Sequence, residues 1–287
     1  MSVLLTKETR TVVQGATGRI GRKQTEWMLE YGTKIVAGVT PGRGGEVLKE
    51  FGNLPVYDCV GEAAEEQGAN ASVLFVPAPL LKNAVLESVS AGMDLIVAIP
   101  EHVPVHDTLQ MRHMARERGK IMIGPNSAGL ISPGIGKLGI MPGNMFTAGR
   151  VGLISRSGTL AYEVAGYLNE KGYGQSTIIG LGGDPVTGTS LSELLEMFEG
   201  DPETDAVVVV GEIGGTAEVG AAEQVARMKK RVVFFMAGRS APADRTLGHA
   251  GAIIRGQTGT IEYKTRCLEK AGAGVAPSIE NICDLLV

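Results

Sequence analysis

Thr11-Val12-Val13-Gln14-Gly15-Ala16-Thr17-Gly18-Arg19-Ile20-Gly21 is the stretch whose reading decides the fold. A short β-branched run leads into three glycines, and an amphipathic segment from Lys23 to Tyr31 follows. Strand, tight turn and helix in that order make the opening of a βαβ unit. A glycine-rich turn at a helix start also offers free N–H groups and the positive end of the helix dipole to a phosphate.

The same alternation continues outward from this unit. Lys34 to Val39, Ser72 to Val76, Leu95 to Ala98 and Lys120 to Ile123 read as strands, with helical stretches at Leu80 to Ala91 and Val105 to Arg118. Near-continuous apolar strands separated by helices point to a parallel sheet covered on both faces, the Rossmann-type pattern. A Gly/Pro-rich passage from Gly124 to Gly143 breaks the rhythm and reads as a connection. The pattern then restarts with strands at Val151 to Ile154, Thr177 to Gly180, Ala206 to Val210 and Arg231 to Phe235. Helices are expected at Leu191 to Phe198 and Ala217 to Met228. The expected fold class is therefore α/β, with two doubly wound parallel-sheet domains spanning 1–125 and 150–287 and a linker at 126–149. A chain of 287 residues accommodates this at the loose prior of about 150 residues per domain.

Composition narrows the function classes. Hydrophobic residues at 44% and charged residues at 20% suit a soluble globular protein, and a net charge of −4 with both signs interspersed leaves no basic face for nucleic acid. No run approaches the roughly 18 apolar residues of a membrane span, and the opening Met1 to Glu8 is too short in apolar length for a signal peptide. No membrane partner is expected, and the expected location is the cytoplasm, or an organelle matrix such as that of mitochondria. Cys59, Cys267 and Cys283 form no CxxC pair, which argues against a disulfide framework or a structural metal site. The 41 glycines are spread along the chain and predict many tight turns and close backbone approaches to ligands.

Two phosphate loops stand out. The first, Gly15 to Gly21, is GxxGxxG rather than the GxGxxG of common dinucleotide binders. Where such sites carry a ribose carboxylate after the second strand, this chain reads Val39-Thr40-Pro41-Gly42-Arg43. A cation at that point favours a phosphorylated ribose, which both NADP and coenzyme A carry, so this motif alone leaves an oxidoreductase and a CoA binder open. The second, Ser155-Arg156-Ser157-Gly158-Thr159-Leu160, opens a helix that includes Tyr162. Its small hydroxyl residues suit a caged anion or a plain N-cap, and without a Walker-type Lys a nucleoside triphosphate is not expected there.

The loop Arg245-Thr246-Leu247-Gly248-His249-Ala250-Gly251 sets one histidine among small residues, where it can serve as base, metal ligand, nucleophile or turn cap. His102, His106 and His113 lie in or beside one helix, have no convergent ligands and read as solvated. Asp184 is expected to shape its Gly-Gly-Asp-Pro turn.

Taken in order, Gly38 to Gly42, Gly124-Pro125-Asn126, Ser155 to Leu160, Gly182-Gly183-Asp184-Pro185, Gly211-Glu212-Ile213-Gly214-Gly215 and Gly248 to Ile253 resemble the α subunit of succinyl-CoA synthetase (succinate–CoA ligase) along essentially the whole chain. The resemblance implies an N-terminal CoA-binding domain and a C-terminal, flavodoxin-like ligase domain. It implies coenzyme A as a substrate, with ATP or GTP and Mg2+ held by a separate ATP-grasp β subunit in an αβ or (αβ)2 assembly. By match to the family motif, His249 is the residue that is phosphorylated, after which the phosphate passes to a small carboxylic acid and the acyl phosphate is attacked by the CoA thiol. Glu212, which ends an apolar strand, is then expected to accept the other ring N–H and orient the imidazole. The CoA contacts carried over are Thr17, Gly18, Arg19, Ile20, Arg43, Ile99, Pro100 and Glu101. The phosphate and substrate positions are Ser157, Gly158, Thr159, Tyr162 and Asn126, and no metal ligand is implied on this chain.

Ser127-Ala128 stands where the family usually has Cys-Pro, and Arg19-Ile20 where many members have Ser-Gln. Pro100-Glu101 stands where the family usually has Thr-Glu, and His102-Val103-Pro104 replaces its Gly-Ile-Pro. Ala243 to Leu247 also departs from the family pattern. These differences leave malate or citrate open beside succinate. Readings of another class are an NADP-dependent reductase built on Gly15 to Gly21 and a non-catalytic CoA-sensing module.

Overall fold

The computed structural model describes residues 3–238, 248–254 and 256–286. The chain forms two compact units, one of Leu4–Met141 with Val186–Gly188, the other of Pro142–Pro185 with the chain from Thr189 onward.

The first unit is built on strands β1 (Thr11–Gln14), β2 (Ile35–Val39), β3 (Val47–Leu48), β4 (Leu54–Tyr57), β5 (Ala71–Leu74), β6 (Leu95–Ala98) and β7 (Ile121–Ile123). Their order is β3-β4-β2-β1-β5-β6-β7, parallel except for the edge pair β3/β4. Helices α1 (Arg19–Glu30), α2 (Val60–Gln67), α3 (Ala78–Ser90) and α4 (Val105–Glu117) connect them. Every residue of β1, β5 and β6 is buried, as expected of strands covered on both faces. Strand order reverses between β1 and β5, which opens a crevice at the carboxyl ends of these strands. There, the buried Gln14 amide lies within hydrogen-bond distance of Ser72 Oγ, Ala84 O and Ser88 Oγ, tying β1 and β5 to α3. The passage read as a connection carries an antiparallel hairpin, β8 (Gly129–Ser132) and β9 (Gly136–Gly139), within the first unit.

The second unit contains β10 (Ala148–Ser155), β11 (Gln175–Gly180), β12 (Ala206–Glu212), β13 (Arg231–Ala237) and β14 (Gly274–Ala276). These five run parallel in the order β14-β13-β12-β10-β11. Counted within the unit, that is the flavodoxin-like order 2-1-3-4-5, with its switch point between β10 and β12. Helices α5 (Gly158–Glu170), α6 (Leu191–Gly200), α7 (Ala217–Gly220), α8 (Ala222–Arg227) and α9 (Ile261–Lys270) complete it. The single helix expected from Ala217 to Met228 is broken at Ala221, directly after Gly220, a poor helix former.

Candidate functional site

The register of β10 on β12 assembles the site of the second unit. Ser155 lies opposite Val210, so the chain leaving β10 as Arg156 runs beside Glu212, the last residue of β12. Glu212 faces His249, with Oε2 2.6 Å from the imidazole Nδ1. Its other oxygen, Oε1, lies 3.0 Å from Arg156 Nε. Arg156 Nη2 donates to Asp184 O at 2.8 Å. The side chains of Glu212 and Arg156 are buried at 8% and 6% exposure, whereas His249 retains 27%. The site is therefore a buried carboxylate–guanidinium floor beneath a partly exposed imidazole.

Glycines allow the ring to sit so close. A Cβ on Gly183 would lie 2.7 Å from both Cδ2 and Cγ of His249, inside van der Waals contact. Gly251 N–H donates to Gly183 O at 3.1 Å, which fastens the histidine loop to the loop after β11. Ala243 to Leu247, Arg245 among them, lie outside the described residues.

With Nδ1 engaged by a carboxylate, a proton on Nδ1 leaves the lone pair on Nε2, the nitrogen directed away from Glu212. The hydrogen bond to Glu212 raises the imidazole above its ordinary value, burial opposes this, and Asp184 adds to the rise while Arg156 counters it. A histidine raised in the folded state contributes stability that is full below its unfolded pKa and is lost as pH rises through the folded value. Glu212→Gln should therefore cost more melting temperature at pH 6 than at pH 9. The lost Arg156 contact is common to both conditions, so the difference reports the imidazole. Equal losses by thermal denaturation would show that the pair does not couple to protonation.

The backbone of Glu212 is clamped from behind by residues that the sequence did not single out. Lys264 on α9 and Glu218 on α7 are completely buried and paired at 2.5 Å. The Lys264 ammonium also donates to Glu212 O at 2.8 Å and to Gly214 O at 2.5 Å, which engages all three of its protons. Glu218 Oε1 accepts the Glu212 N–H at 3.2 Å. Both peptide groups of Glu212 thus end on one buried ion pair. The sequence signals were weak: Lys264 is followed by the polar Thr265 and Arg266, and Glu218 stands in a stretch read as one helix.

Helix α5 supplies the second expected anion loop. Ser157 is its N-cap, and its Oγ accepts the Leu160 N–H at 3.4 Å and lies 3.2 Å from Thr159 Oγ1. This is the plain N-cap reading, and it leaves the first-turn amides of Gly158 and Thr159 outside the intrahelical ladder. Tyr162, one turn further on, stacks edge-on against Phe146 at 5.9 Å, and burial raises its phenol above the usual range.

In the first unit the expected CoA residues gather at the carboxyl ends of the strands. Gly21 packs on the turn so tightly that a Cβ would lie 2.1 Å from Gly15 O, which explains the glycine spacing. Thr17 Oγ1 donates to Thr40 Oγ1 at 3.1 Å, linking the loops after β1 and β2. Gly18 caps α1 without a side-chain bond, and Arg19 and Ile20 are exposed, Ile20 at 59%. Arg43 is exposed and forms a two-point pair with Glu46, with Nη2 to Oε2 at 2.6 Å. Ile99, Pro100 and Glu101 follow β6, and Asn126, with positive φ, donates its N–H to Pro100 O at 2.8 Å. Asn126 thus belongs to the same strand-end cluster as Pro100. His102 and His113 are solvated, at 86% and 71% side-chain exposure, and His106 is exposed.

Residues 6–102 match the family model described as a CoA binding domain, and residues 154–274 match that described as CoA-ligase. The chain is 54% identical to the succinate–CoA ligase [ADP-forming] subunit alpha of Methanothermobacter thermautotrophicus, over 98% of this chain and 95% of that one. It is 46% identical to the subunit of the same name from Staphylococcus aureus, over 100% of this chain and 94% of the relative. Among solved structures, ATP citrate lyase from Methanothrix soehngenii in complex with citrate and coenzyme A superposes with a TM-score of 0.85 at 22% identity. That match covers 99% of this chain, which spans about half the length of the lyase chain, and it supports the fold. On its full-length identity to these relatives, the chain belongs to the family of succinate–CoA ligase alpha subunits.

Proposed function

We propose that this chain is the α subunit of an ADP-forming acid–CoA ligase that makes succinyl-CoA, with His249 carrying the phosphoryl group. The observation that carries the reading is the Glu212–His249 contact at the switch point of the ligase domain. It leaves Nε2 as the nucleophile. Nε2 attacks the γ-phosphorus of a nucleoside triphosphate, ATP by the relatives' names, and the bond to the bridging oxygen breaks to release the diphosphate. A succinate carboxylate then takes the phosphoryl group from nitrogen, giving an acyl phosphate. Attack of the CoA sulfur on its carbonyl carbon expels inorganic phosphate and forms the thioester. Glu212 holds the Nδ1 proton throughout, which fixes the tautomer and stabilises the phosphorylated ring.

The nucleotide and its Mg2+ belong on a β partner in this reading, with an ATP-grasp fold, in an αβ or (αβ)2 assembly. The first anion loop, with Thr17, Gly18, Arg19 and Ile20, takes the CoA diphosphate at the start of α1, and Arg43 the phosphorylated ribose. Ile99, Pro100 and Glu101 wall the same crevice. Ser157, Gly158 and Thr159 offer first-turn N–H groups to the phosphoryl oxygens, and Tyr162 and Asn126 are assigned to the substrate side. Incubating the chain and its partner subunit with γ-labelled ATP should give base-stable, acid-labile phosphate on His249. A panel of succinate, malate, citrate and monocarboxylates in a CoA-thioester assay should favour succinate. NADPH binding without any label would overturn the ligase reading, and a label with another preferred acid would overturn the substrate.

A further inference from the structure

Arg156 poses a chemical question at this site. A carboxylate 2.6 Å from an imidazole orients the ring, but it also favours the imidazolium. An imidazolium has no lone pair on Nε2 and cannot attack phosphorus. Glu212 alone would therefore aim the nucleophile and disable it together.

The opposing charge is Arg156. Its side chain is fixed within the loops that form the site, with Nη2 on Asp184 O at 2.8 Å. A Cβ on Gly251, in the histidine loop, would lie 2.7 Å from Nη2, so that loop roofs the guanidinium. Nε is 3.0 Å from Glu212 Oε1 yet makes no aligned hydrogen bond to it, so the contact is one of charge. Among the described residues, the charged groups acting on the ring come from three strand ends: Glu212 closing β12, Asp184 after β11 and Arg156 after β10. The Lys264–Glu218 pair behind Glu212 is internally neutral. Among the described residues, Arg156 is the cation that opposes these two carboxylates at the ring.

We propose that Arg156 is a positioning residue that shares Glu212 with His249, aiming the carboxylate and opposing protonation of the imidazole that must donate its Nε2 lone pair. The proposal rests on His249 as phosphoryl acceptor. The lowering influence of Arg156 on the imidazole is consistent with it.

The sign of one measurement separates this role from a merely structural one. The full chain with isotope-labelled histidine is titrated by NMR, the His249 signal being assigned with H249N, for wild type, R156Q and R156K. Removing the charge in R156Q should raise the His249 midpoint by about one pH unit. The acid limb of His249 phosphorylation, measured in the complex with the partner subunit and ATP, should move upward with it, so that rate is recovered at alkaline pH. R156K retains the charge and should stay near the wild-type midpoint. A guanidinium that only supports the loop would, once lost, loosen the Glu212 contact and lower the midpoint toward that of a free histidine. An unchanged or lowered midpoint in R156Q, or a full upward shift in R156K, overturns the proposal, and the R156K arm stands if R156Q does not fold. Absence of phosphate on wild-type His249 would count against the acceptor reading alone, because the midpoints are measured without nucleotide.

Discussion

Replacing His249 by asparagine should lower CoA-thioester formation by about 10³-fold or more and abolish covalent labelling from γ-labelled ATP, since the asparagine amide has no basic nitrogen to accept the phosphoryl group. Asparagine keeps an N–H that can reach Glu212, so the buried Glu212–Arg156 pair stays covered and the melting temperature at pH 9 should move little. The three remaining histidines are exposed in the first unit and have no comparable constellation of a buried carboxylate and guanidinium. The measurement is a thioester assay with the partner subunit, together with the acid lability of any label. Retention of more than a tenth of the wild-type rate would mean that phosphate reaches the acid by a route that bypasses this imidazole.

Lys264→Met should be the most destabilising of the substitutions considered, costing about 3–5 kcal/mol, because it leaves Glu218 buried without its counter-charge. Neither side chain has any solvent exposure, so water cannot compensate. The same change also removes the donor that holds the carbonyls of Glu212 and Gly214. Replacing both partners by apolar residues of similar volume, as in Lys264→Met with Glu218→Leu, should recover most of the stability. It should not recover activity, since the Glu212 N–H and C=O both lose their anchors. Urea denaturation of the single and double variants, with the labelling rate of the double variant, checks this. A double variant as active as wild type would show that the pair serves folding alone.

The fold was legible where strands were uniformly apolar. Leu95–Ala98 was read as a strand and is observed with those bounds, because full burial demands an unbroken apolar run, and Thr11–Gln14 keeps its expected bounds around the β-branched Val12-Val13. Less legible was the edge of the first sheet. Leu54-Pro55-Val56-Tyr57 is a strand despite its proline, which sits on the antiparallel edge pair opposite Val47. Helix α2 is only eight residues long with two buried positions, too short for a periodic stripe to stand out. The hairpin β8–β9 is glycine-rich and polar enough to read as a connection.

The sequence by itself determined the two-domain α/β plan and marked the glycine-rich turns and the histidine loop, because each depends on local residue types: apolar runs, positive-φ or close-approach glycines, and a histidine among small residues. Tertiary structure decided what surrounds that histidine. Glu212 and His249 are 37 residues apart, and Arg156, Glu218 and Lys264 come from three further elements. Only the parallel register of β10 on β12, and the burial of an ion pair behind it, brings each of these charges within about 3 Å of its partner. Charged residues carry no periodic signature in the chain. Their meaning here comes from desolvation, which is a property of the folded interior.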